Sequence, residues 1–76
     1  MPYEVTTNAF HSDVVSWLQE NVGQLLWSNP ILEWRGQGWS MHYNGNNHGG
    51  ANLTVFRYLI RIDDAKLANL TALRWA

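Results

Sequence analysis

Along NLTVFRYLIRI (52–62) hydrophobic side chains fall on both parities, and charge interrupts only one of them. Even positions give Thr54, Phe56, Tyr58, Ile60 and Ile62; odd positions give Leu53, Val55, Arg57, Leu59 and Arg61. Successive side chains of a strand point to opposite faces. The pattern therefore predicts an interior strand whose even face meets helices and whose odd face carries two arginines among aliphatic groups. Further upstream the period becomes helical. Val14, Val15, Leu18, Val22, Leu25 and Leu26 share one stripe, with Ser16, Gln19, Glu20, Gly23 and Gln24 opposite and Trp17 on the flank. Ser12 is the expected N-cap, and Asp13 puts a carboxylate at the positive end of the helix. The stripe carries this helix through Leu26 despite Gly23, which costs about 1 kcal/mol relative to alanine. Asn29-Pro30 stops it, because a residue before proline avoids the helical region.

Ile31 to Arg35 and Trp39 to Asn44 are β-prone runs joined by Gly36-Gln37-Gly38, which fits a three-residue hairpin loop with a bulge. On the second run Trp39, Met41 and Tyr43 share one face, with Ser40, His42 and Asn44 on the other. NGNNHGGAN (44–52) is rich in residues that tolerate positive φ and reads as a loop. Asp63 or Asp64 caps a closing helix that is apolar on two sides: Leu67, Leu70 and Leu73 on one, Ala68, Ala72 and Trp75 on the other. Either Trp75 folds back over the sheet edge or a second subunit covers the extra side. Near the start, Tyr3 and Val5 alternate with Glu4 and Thr6 as a short edge strand. The architecture predicted is α+β, a two-layer sandwich of residues 1–76 as a single domain. An antiparallel sheet of three to four strands carries two helices on one face, in the order β-α-β-β-β-α.

Composition narrows the chemistry. At 76 residues the chain lies near the small end of what folds alone, and with no cysteine it has neither disulfides nor thiolate metal sites. Five Trp, three Tyr and two Phe supply the apolar area instead. A net charge of −1 and a pI near 6.2 weigh against tracking phosphates. The first ten residues lack a basic region followed by an apolar core, so no signal peptide is expected. No apolar run approaches the roughly 18 residues of a membrane span, and a soluble intracellular chain is expected.

Candidate catalytic groups are sparse. His11, His42 and His48 show no metal-ligand spacing. Ser40 and His42 offer the nearest approach to a nucleophile and base, without a G-x-S-x-G elbow or any thiol. Gly36-x-Gly38 lacks the third glycine of a dinucleotide fingerprint, and neither glycine run opens a helix bearing a P-loop lysine. No catalytic residue, metal or cofactor is assigned, and a non-enzymatic chain is expected. Arginines and aromatics on a sheet are the remaining signal. Arg57, Leu59 and Arg61 are expected to share a binding face with Trp39, Met41 and Tyr43, with Trp75 as a second anchor. Such a face stacks single-stranded nucleic acid. It equally suits a protein interface, where Trp, Tyr, Met and Arg are enriched and lysine is depleted. This chain has one lysine, Lys66, and an acidic balance. The expected partner is therefore a second copy of the chain, in a dimer or larger homo-oligomer, or another protein; nucleic acid is the alternative.

The run FRYLIRIDDAKLANLTALRW, Phe56 to Trp75, resembles the C-terminus of small bacteriophage proteins, those of marine cyanophages among them. In these a strand runs into a helix through D-D/P-x-x-A-x-L-F-x-L-x-W. The chain departs from that pattern at Leu70 and Thr71, where phenylalanine is common. The resemblance covers this ending only. It implies a strand-to-helix close and a phage origin, with work in the cytoplasm of an infected host or as a minor virion component, and a host or phage protein as a further partner. It implies no activity.

Overall fold

A computed structural model of the chain describes residues 2–29, 32–49 and 53–76, with the backbone alone for 46–49 and 53–55. The elements run β1 (Tyr3–Thr7), α1 (His11–Asn21), β2 (Leu25–Asn29), β3 (Glu33–Gly36), β4 (Trp39–Gly49), β5 (Leu53–Ile62) and α2 (Ala65–Trp75). The strands form one antiparallel sheet in the spatial order β1-β5-β4-β3-β2. The α+β class is as expected, with five strands rather than three to four. No helix among the described residues is long and apolar enough to cross a membrane.

Alternation along β5 sets the layers. Register aligns Val5, Ile60, Met41 and Trp34 across four strands, with Ile62 opposite Trp39 and Tyr58 opposite Tyr43. These residues lie on one sheet face, and Val14, Val15 and Leu18 of α1 and Ala68 of α2 close over them in a single core. Phe56 shares the parity but is 53% exposed.

The expected helix through Leu26 is shorter. Val22 and Gly23 amides both donate to the Leu18 carbonyl, at 2.9 and 3.0 Å, and the chain leaves the helix there. Leu25 and Leu26 fit either period, and pairing with β3 decides for the strand. Gly23 is needed for space: a Cβ there would lie 2.0 Å from the Gln37 carbonyl oxygen. At the other end α1 begins at His11 after an extended Phe10, without a side-chain cap, so Ser12 lies inside the helix. Asp13 is in the first turn, as expected.

The β3–β4 connection is tighter than the expected three residues. Gly36 pairs with Trp39, leaving only Gln37 and Gly38 between the strands. The Trp39 indole lies over Gly36, where a Cβ would come within 2.1 Å of the ring, and its Nε1–H donates to the Gly23 carbonyl at 2.6 Å. One side chain thus ties the end of α1 to the hairpin. Gln37 N–H adds a bond to the Gln24 carbonyl at 2.9 Å.

NGNNHGGAN is also not all loop. Asn44 to Gly49 continue β4, pairing Asn46 to Gly49 with Phe56 to Leu53. The register shifts by one between Tyr43 and Asn46, and Gly45 has φ of +94° within the shift, a conformation favourable to glycine. The remaining loop residues, 50–52, lie outside the described residues, as does Ile31 of the expected first hairpin strand. Closing the chain, Asp64 caps α2 by accepting from the Leu67 amide at 3.0 Å.

Replacing Gly36 by alanine pushes the indole of Trp39 off its seat and breaks its bond to Gly23. The expected loss is about 1–3 kcal/mol of stability, as for other overpacked sites. Urea unfolding of Gly36→Ala against the wild type measures it.

Candidate interaction surfaces

The sheet face away from the helices is built from cross-strand rows. Trp27, Arg35, Ser40, Arg61 and Glu4 form one row across all five strands; Asn29, Glu33, His42, Leu59 and Thr6 form the next. Arg35 Nε donates to Glu33 Oε2 at 2.7 Å and Arg61 Nε to Glu4 Oε2 at 3.1 Å. The Arg35 guanidinium also lies 5.6 Å from the Trp27 ring centre. Arg57 shares the face without a carboxylate within 4.0 Å among the described residues. These exposed pairs contribute little stability, and their effect is to cancel most of the positive charge locally. A shallow depression of about 260 Å³ lies between Arg35, Ser40 and Arg61, with Asp63 at its rim.

Only three of the expected interface residues occupy this face. Arg57, Leu59 and Arg61 lie together, with Leu59 half-buried. Trp39 and Met41 lie on the opposite face beneath the helices, and Met41 is 0% exposed. The expectation that they join the arginines is corrected by register: Trp39 stands opposite Ile62 and Met41 opposite Ile60, both even positions of β5. Tyr43 is half-buried on the helix side too, opposite Tyr58. Trp75 is half-buried at the end of α2. Its carbonyl accepts from Thr7 Oγ1 of β1 at 2.8 Å, and its ring meets Trp17 edge-on at 6.4 Å. Arg74 stacks on its face at 4.5 Å. The indole Nε1–H of Trp75 is buried without a partner among the described residues. A crevice of about 350 Å³ opens beside this pair, between Asp13 and Glu20 of α1 and Arg74.

Trp75 therefore closes part of the seam between the helices, yet α2 remains apolar on its outer side. Leu70 is half exposed and Leu73 is 88% exposed. Two further apolar surfaces escaped the sequence reading. Rings run from Phe10 through His11 to Trp34 and Tyr58, then through Tyr43 to Phe56, with neighbouring centroids 4.7–6.1 Å apart. Phe10 and Phe56, the two ends of this ladder, are exposed, as is Leu32 before β3. The second surface is β2, where Leu26 and Trp27 are exposed at the sheet's edge. Its signal was the β-prone Leu-Leu-Trp, masked by helical spacing upstream.

Burial, with Tyr43 adding to it, raises the Tyr58 phenol above its usual 10.0. The folded chain keeps this phenol neutral where the unfolded chain ionises it. That contribution to stability is complete below pH 10 and is lost as pH rises through the folded value. Unfolding free energy is expected to fall above pH 10, with a shallower slope in Tyr58→Phe; urea melts across pH 8–12 on both proteins check it. The two sheet faces are told apart by substitution. Met41→Ala is expected to cost about 2–5 kcal/mol, and Arg57→Ala less than about 0.5 kcal/mol. Thermal melts of both variants read the difference directly.

Comparisons with protein-family models, curated proteins and solved structures find no match for this chain.

Proposed function

We propose that the chain is a non-enzymatic protein-interaction module that associates with itself. The observation that carries this reading is apolar surface left over after both helices have packed. Leu26, Trp27, Leu32, Phe10, Phe56 and Leu73 are all at least half exposed, and they are spread over β2, the β2–β3 connection, the start of α1, β5 and α2. Fully burying such a side chain gains roughly 1.5–3 kcal/mol, against an association cost of about 4–15 kcal/mol. Two or three per copy, doubled by two-fold symmetry, bring a gain of the same order as that cost.

Nucleic acid is the weaker reading. Arg57 and exposed Trp27 favour it, but Glu4 and Glu33 hold the other two arginines of the open face. Trp39, the indole expected to stack bases, is beneath the helices. The ending that resembles phage proteins supports a phage accessory role, in the infected cell's cytoplasm or as a minor virion component, with a host or phage protein as a further partner.

Light scattering over a tenfold concentration range tests self-association. The expected mass is twice that of the chain or more, with dissociation only at the dilute end. A single-chain mass throughout contradicts the reading.

A further inference from the structure

We infer that the self-association surface is the β2 edge, and that its occupant is β2 of a second copy, paired antiparallel about a two-fold axis to give a continuous ten-stranded sheet. The inference rests on the self-association reading and adds to it the interface. Its basis is the unequal treatment of the two edges. β1 follows Pro2, carries Glu4 and lies beneath α2, whose terminal carbonyl is bonded to Thr7. Charge and a helix packed against the strand discourage strand addition. β2 carries no charge and has no comparable helix contact among the described residues, whereas a flanking proline is common to both strands, Pro2 before β1 and Pro30 after β2. Leu25 to Asn29 contain no charged residue and no proline, and Leu26, Trp27, Ser28 and Asn29 are all exposed.

Among the described residues β2 pairs only with β3, so one row of its backbone donors and acceptors faces outward. The irregularity between Leu25 and Trp27 confines regular pairing to Trp27–Asn29, a short strip that suits a specific two-fold contact more than open-ended stacking. A neutral strip meets no like-charge repulsion from its own copy, whereas a strip carrying one sign would. Trp27 stands on the open face, held near Arg35, where a two-fold axis brings it toward its counterpart. An obligate partner of opposite charge has nothing to complement here, which favours the second copy over a charged peptide.

The test sets three double variants of the full chain beside the wild type, each checked for native near-ultraviolet circular dichroism. Trp27→Lys/Ser28→Lys is expected to lose the dimer across the whole concentration range, as is Trp27→Glu/Ser28→Glu. Mixing these two is expected to restore a one-to-one dimer, because opposite charges now meet across the axis. Leu70→Asp/Leu73→Asp, on the outer side of α2, is expected to keep the wild-type mass. A wild-type dimer that survives the lysine and glutamate changes overturns the edge interface and leaves self-association standing. Loss of the dimer in the α2 variant alone does the same. A wild type that never dimerises overturns both.

Discussion

Both helices pack on one side of the sheet because only one parity of β5 is free of charge. Tyr58, Ile60 and Ile62 are buried there, while Arg57 and Arg61 hold the other parity open. β5 sits between β1 and β4, so its parity propagates outward through register and sorts Val5, Met41, Trp39 and Trp34 to the same side. A one-residue slip would send this whole set to the wrong face. The Gly45 bulge takes up one extra residue of β4, which places Asn46 rather than Gly45 opposite Phe56 as the pairing extends. The Trp39 bond to Gly23 then fixes where α1 ends, and with it where β2 begins.

That arrangement explains which features could be read from the chain. The β5 alternation, a cap at Asp63 or Asp64 and the short β1 depend on neighbours in sequence, and each was legible; the structure selects Asp64. β2 was not, since Leu25 and Leu26 continue a helical stripe and only the hairpin opposite Gly23 forces the chain out of it. The strand at 44–49 was hidden by its Asn and Gly content. Its pairing is supplied by the partner strand rather than by its own propensity. The alternation of Trp39, Met41 and Tyr43 was correctly seen as one face. Which face that is depends on the β4–β5 register, and no local pattern reports it.

A one-sided two-layer fold of this size leaves two edges and the outer surface of each helix to be managed. The open sheet face is made polar by Glu4, Glu33 and their arginines. α2 packs against β1 and bonds to Thr7, and Trp75 closes part of the helix seam. The β2 edge is left neutral and apolar, and it owes its existence to the early end of α1. The same glycines that let Trp39 seal the core therefore create the strand proposed to pair.

Hydrogen exchange of the β2 backbone amides at dilute and concentrated protein tests this account most directly. Protection at Trp27–Asn29 is expected to rise with concentration while the β1 edge stays unchanged. Exchange at β2 that is fast and independent of concentration, or protection that gathers at β1 instead, would contradict it.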